Sequence, residues 1–120
     1  MLTALGKFLR KLRIDRGEIL KDMADKLGVT VSFLSAVENG KKRMPAGWNG
    51  LLCSLYDFDK QQTEEFTRAV AETESKLELD FANASGEQRA LAVSFARKFT
   101  DFDERQIKKI RALLKESDDE

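Results

Sequence analysis

The residues best equipped for chemistry fall in one short run, Asn39-Gly40-Lys41-Lys42-Arg43. Three consecutive cations after a glycine, with the backbone N–H groups of the same turn, suit an anion such as a phosphate. A solvated basic loop is the plain alternative. Composition closes off other chemistries. The 120 residues include no histidine and one cysteine, Cys53, so a zinc site of the usual kind, an intramolecular disulfide and a histidine general base are excluded. Cys53 lies in an apolar stretch and reads as a packing residue. Asp101 and Asp103 form a pair of acids, but ahead of a helical pattern they serve as caps and dipole partners. No catalytic residue, metal or cofactor is expected.

Formal charge sums to zero, yet it divides along the chain. Residues 1–55 carry ten Lys/Arg against five Asp/Glu, whereas residues 56–120 carry eleven against sixteen. Such asymmetry suits a first half that faces nucleic acid and a second half with another task, such as pairing with protein. The longest apolar runs fall far short of the roughly 20 residues that cross a bilayer, and the N-terminus lacks a signal-peptide core. A cytoplasmic protein with no membrane partner is expected.

The elements that must position the cations read as helices. Thr3 is placed to cap a first helix whose Leu5, Phe8, Leu9 and Leu12 recur at helical spacing, with Gly17 closing it. Leu20, Met23, Ala24 and Leu27 make the apolar face of a second helix ended by Gly28. Thr30 caps a third, with Leu34 and Val37 inward and Val31, Ser32, Ser35 and Ala36 on the other side. Pro45 suits the first turn of a fourth helix with a core side of Trp48, Leu51, Leu52 and Leu55, and Asp59 caps a fifth bearing Phe66, Ala69 and Val70. Two short helices joined by a glycine turn over residues 23–40 have the layout of a helix-turn-helix, which presents one helix to the major groove of DNA.

The run from Leu9 to Tyr56 resembles the DNA-binding domain of the Cro and phage-repressor (XRE-like) family of helix-turn-helix regulators. The resemblance is carried by Leu9-Arg10-x-x-Arg13, Met23-Ala24-x-x-Leu27-Gly28-Val29-Thr30, Leu34-Ser35 and Val37-Glu38-Asn39-Gly40-Lys41. It implies an all-α, five-helix, lambda-repressor-like domain that binds double-stranded DNA. It also implies an ion pair between Arg13 and Glu38 that ties helix one to the end of the recognition helix. Base contacts then fall to Val31, Ser32, Phe33, Ser35 and Ala36, and phosphate contacts to Arg10, Lys21, Thr30, Asn39, Lys41, Lys42 and Arg43. Two departures stand out. The base-facing residues are small or apolar where the family often has glutamine, arginine or lysine, so thymine contacts and DNA shape replace bidentate purine contacts worth about 1–3 kcal/mol each. Helix two begins Ile19-Leu20 where the family often has Ser/Thr-Gln, which leaves its cap and a phosphate contact without their usual side chains.

Residues 1–74 are thus expected to form the DNA-binding domain, residues 75–116 a dimerisation extension and residues 117–120 a disordered tail. Leu77, Leu79 and Phe81 alternate with charged residues over 75–81, as in a short strand that pairs with its own copy; a long fifth helix fits the same residues. Ser85 and Gln88 form a capping box for a helix over 86–99 with Leu91, Phe95 and Phe99 on one side. Thr100 and Asp103 repeat the signature before a helix over 103–115 with Ile107, Ile110 and Leu114. This amphipathic hairpin is expected to serve dimerisation. The function expected is a homodimeric repressor that reads a pseudo-palindromic operator with helix 30–38. The alternative, implied by the resemblance, is an antitoxin or adaptor whose C-terminal half binds a toxin or metallopeptidase while the first half autoregulates the operon.

Overall fold

Side-chain caps fix most helix starts in the computed structural model, which describes residues 1–118. Thr3 Oγ1 accepts from Gly6 N–H (3.1 Å) and opens α1, Ala4–Arg16. For α2, Leu20–Leu27, no side chain caps the first turn from Ile19; instead Asp22 Oδ2 reaches back to the Ile19 N–H (2.9 Å). Thr30 Oγ1 accepts from Phe33 N–H (3.0 Å) at the start of α3, Val31–Glu38. α4 spans Trp48–Leu55, so Pro45 lies ahead of it in a turn closed by Trp48 N–H on the Pro45 carbonyl (3.0 Å). Asp59 and Gln62 form a reciprocal capping box for α5, Lys60–Thr73.

These elements belong to the first of two units, Met1–Leu79. Its core gathers Leu5, Leu9 and Leu12 of α1, Met23, Ala24 and Leu27 of α2, Leu34 and Val37 of α3, Trp48 and Leu52 of α4, and Phe66 and Val70 of α5, with Met44 and Tyr56. α1 packs chiefly on α5 and also on α3, while α2 lies against α3 and α4. Cys53 packs partly buried against this core, and burial pushes its thiol pKa up. On α4 the stripe differs from the one read from the sequence: Leu51 and Leu55 are exposed, and the fully buried residue beyond the helix is Tyr56. Tyr56 wins that place because its phenol finds a partner, donating to Glu18 Oε1 at 2.7 Å.

Glu18 stands in the turn between α1 and α2 and also pairs with Lys26, while Arg16 donates to the Tyr56 carbonyl. Burial alone would raise the Glu18 pKa, but hydrogen bonds from Lys26 and Tyr56 and the charges of Lys26 and Arg16 outweigh it and hold it below the ordinary 4.5. A carboxylate with a lowered folded-state pKa adds stability that is complete above its unfolded value and disappears as pH falls through the folded one. The urea midpoint should therefore be level above about pH 5 and drop on acidification below the ordinary glutamate range. Glu18→Gln should flatten that part of the profile and lower the midpoint at pH 7.

α5 stops at Thr73, and the Thr73 hydroxyl joins its last turn to α1. It donates to the Ala69 carbonyl (2.8 Å) and accepts from Leu5 N–H of α1 (3.0 Å), after which Glu74 turns extended at ψ 134°. The long fifth helix is thereby excluded. The strand expected over 75–81 is absent too: among the described residues no strand forms, and Leu77 and Leu79 stand exposed on an irregular segment. A strand needs a neighbouring backbone, and within one chain none of the described residues supplies it to that segment.

The second unit begins at Asp80. Its α6, Gly86–Lys98, starts from the Ser85–Gln88 capping box and ends in a 3-10 turn, Phe99–Asp101. α7, Glu104–Asp118, is capped by Asp103, whose Oδ1 accepts from Gln106 N–H (2.9 Å) while Gln106 Oε1 accepts from Asp103 N–H (3.1 Å). The cap is therefore Asp103, not Thr100, which the 3-10 turn has taken up. The two helices expected here form, joined through the 3-10 turn. Phe102 is extended at ψ 126° and redirects the chain, and packing concentrates at an elbow where Phe95 meets Phe99 (5.7 Å) and Phe102 (5.3 Å). No residue of either helix whose side chain is described is buried; Leu91, Ile107 and Leu114 are exposed and Ile110 half-buried. The tail expected over 117–120 is helical at Ser117 and Asp118, where the α7 backbone ladder continues, and its last two residues lie outside the described ones.

Candidate nucleic-acid interface

α2 and α3 meet over a three-residue turn. Gly28 takes φ +70°, where a glycine avoids the strain of a side chain, and its neighbour Val29 donates to the Ala24 carbonyl at 3.0 Å. Ala24 is 1% exposed, so any larger side chain there would force α2 and α3 apart.

Behind this pair, α1 grips the C-terminal end of α3. Arg13 and Glu38 form a two-pronged ion pair, with Arg13 NH1 on Glu38 Oε2 and NH2 on Oε1 (3.0 Å), both side chains buried. Arg13 NH1 also lies 3.3 Å from Met23 Sδ, and no described buried side-chain nitrogen or oxygen lacks a partner. The Glu38 carbonyl receives both Thr3 N–H (3.0 Å) and Thr3 Oγ1 (3.1 Å), so the amino end of α1 satisfies an orphan acceptor at the carboxyl end of α3. Gly6 makes this approach possible, because a Cβ built there would sit 2.1 Å from the Glu38 oxygen. Gly6 is a residue that sequence reasoning passed over, although a glycine within a helical pattern is itself a sign of close packing.

The frame leaves one face of α3 open. Val31 and Ser32 are exposed and Ser35 and Ala36 half-buried, whereas Leu34 and Val37 are buried. Phe33, expected among the base contacts, is turned toward the protein with its ring 6.0 Å from Trp48. Ser35 lies beside the Asn39 amide, which donates to the Ser35 carbonyl (2.8 Å) and approaches its hydroxyl (3.4 Å).

The loop after α3 differs from expectation in two respects. Its backbone N–H groups are engaged by the helix end: Asn39 donates to Ser35, Gly40 to Val37, and Lys41 and Lys42 both to Ala36, at 2.8–3.2 Å. With Gly40 at φ +76° this is a Schellman closure, so the turn has no spare N–H to offer an anion, and the Asn39 side chain is engaged as well. Lys41 and Lys42 are exposed and leave their side chains to contribute charge. Arg43 is exposed as well but is paired with acids, with NH1 3.2 Å from Glu78 Oε1 and Nε 3.7 Å from Glu74 Oε2. Those two acids were missed because nothing local links them to the loop.

Among the other expected phosphate contacts, Arg10 is exposed on the α1 stripe between Gly6 and Arg13, the stripe that faces the end of α3. Lys21 is exposed and pairs with Asp25 one turn on (3.0 Å). Thr30 is exposed with its oxygen engaged as the α3 cap.

A family model described as a helix-turn-helix domain matches residues 4–66, from the start of α1 into α5. The chain belongs to the helix-turn-helix domain family. No curated protein and no solved structure matches it. The helix-turn-helix match covers α1, the α2–turn–α3 unit, the Arg13–Glu38 pair and the lysine pair, and it ends before Glu74. Such a domain is a DNA-binding module. Among the described residues no cluster of acids or cysteine is placed to hold a metal ion, and no helix is long and apolar enough to cross a membrane.

Proposed function

We propose that this chain is a sequence-specific transcriptional regulator of the Cro and phage-repressor type, a homodimeric repressor that lays α3 in the major groove of a pseudo-palindromic operator. The observation that carries the reading is the open α3 face. It is held by a buried frame at the α1 end and flanked by two exposed lysines. Val31, Ser32, Ser35 and Ala36 touch base edges in this reading. Lys41 and Lys42 hold phosphates, with Arg10, Lys21 and the Thr30 hydroxyl at further backbone positions.

Small side chains on α3 place specificity in thymine methyl contacts, serine hydrogen bonds and groove shape. A two-fold pair of such domains reads half-sites about 34 Å apart. The exposed apolar residues of α6 and α7 supply surface for that pairing. The same surface supports a second reading, an antitoxin or adaptor that seats a partner protein there.

The test is duplex binding by the full chain, with sequences selected from a random pool. Lys41→Glu with Lys42→Glu should weaken binding to every duplex alike and lower the slope of log K against log salt by about one per lysine. Ser32→Ala or Ala36→Ser should instead change which duplex is preferred, by about 1–3 kcal/mol at one base pair. Binding by the unaltered chain that is indifferent to both sequence and salt would defeat the proposal. A heteromeric complex in place of a homodimer would favour the adaptor.

A further inference from the structure

The guanidinium of Arg43 is enclosed by oxygens from a single stretch of chain. NH1 meets Glu78 Oε1 at 3.2 Å, Nε meets Glu74 Oε2 at 3.7 Å and NH2 meets the Lys76 carbonyl at 3.4 Å. All three nitrogens thus have an oxygen partner on residues 74–78, although the Arg43 side chain is still 41% exposed. The two acids are not alike. Glu74 is built in, its side chain 16% exposed and its Oε1 accepting from Met44 N–H (3.3 Å), which fixes the loop itself. Glu78 is 67% exposed on an irregular segment, so its pairing with Arg43 is open to water and to competing anions.

We infer that residues 74–78 act as a latch on the DNA-contact loop, with Glu78 competing against a backbone phosphate for Arg43. This rests on the DNA-binding reading given above. An exposed pair of this kind changes an equilibrium by no more than about fivefold. The latch is therefore weak enough for a duplex to open and strong enough to tune affinity. Glu74 keeps the loop in place throughout, while Glu78 hands Arg43 over. Linkage makes the effect reciprocal: DNA frees the 75–79 segment, and whatever draws that segment from the loop tightens DNA binding to the same degree. That segment leads into the second unit, so any partner that engages it acts on the same latch.

Fluorescence anisotropy of a labelled mixed-sequence duplex, titrated with the full chain over a salt series, tests this. Glu78→Gln should bind about two- to fivefold tighter than the unaltered chain at low salt, with a salt slope steeper by about one. In an Arg43→Gln background, where no guanidinium is left to release, Glu78→Gln should give little of that gain. An equal gain in both backgrounds would mean that Glu78 merely repels phosphate, and the latch would be overturned. It would also be overturned if Glu78→Gln left affinity unchanged while the unaltered chain bound. Failure of every variant to bind any duplex would remove the DNA reading and this inference with it.

Discussion

Gly6→Ala should be the most damaging small substitution in this protein, costing about 4 kcal/mol or more and moving the urea midpoint, followed by Trp48 fluorescence, far to the left. Two effects oppose each other at this position. Alanine is favoured over glycine inside a helix by about 1 kcal/mol, which would stabilise α1. Against that, the added Cβ would lie 2.1 Å from the Glu38 oxygen, 2.9 Å from its carbonyl carbon and 3.0 Å from its Cα. The atoms in the way are backbone, so no side-chain rotation relieves the overlap. α1 must lift from α3, and with it goes the contact of Thr3 with the Glu38 carbonyl and the seating of Leu5 and Leu9. Sterics win by a wide margin. Gly50 in α4 is the control, because a Cβ there meets nothing within 4 Å. Gly50→Ala should leave stability level or raise it by up to about 1 kcal/mol. A Gly6→Ala variant as stable as Gly50→Ala would show that α1 does not press on the α3 backbone.

The second large effect belongs to the Arg13–Glu38 pair. Arg13→Met or Glu38→Leu alone strands one charge in the core and should cost about 3–5 kcal/mol, a large part of the roughly 5–15 kcal/mol that holds a domain folded. The pair as a whole is worth far less than either half, because removing two charges from the interior also removes two desolvation penalties. The double variant Arg13→Met with Glu38→Leu should therefore recover most of the loss, a coupling that a double-mutant cycle in urea reads directly. Additive single losses would mean that the two side chains do not share a buried ion pair. Thr3 and Gly6 still hold the end of α3 in the double variant, so its lysine-dependent binding to DNA should survive along with its fold.

Much of the interface was legible in the sequence because it is built from short-range rules. Thr3, Thr30, Asp59 and Ser85 cap helices through hydrogen bonds spanning three residues, and Gly17, Gly28 and Gly40 end helices at positive φ; both signals are written in neighbouring residues. The spacing of Leu5, Leu9 and Leu12 and of Met23, Ala24 and Leu27 likewise marks the buried faces. Even the engagement of the 39–42 backbone was open to local reading, since Asn39-Gly40 at a helix end is the mark of a Schellman closure.

Where partners lie far apart along the chain, the residue types alone were silent. Gly6 meets Glu38 across 32 positions, Glu18 meets Tyr56 across 38, and Arg43 finds Glu74 and Glu78 more than 30 residues away. A run of three cations reads the same whether each faces a phosphate or a carboxylate, because Coulomb attraction depends on separation in space and not on order in sequence. The sequence by itself thus determined the helices, the turn between α2 and α3 and the stretch that carries the cations. The tertiary structure decided which of those cations are free, because only the packing of α1 and α5 around the ends of α3 and its loop brings distant groups within bonding distance.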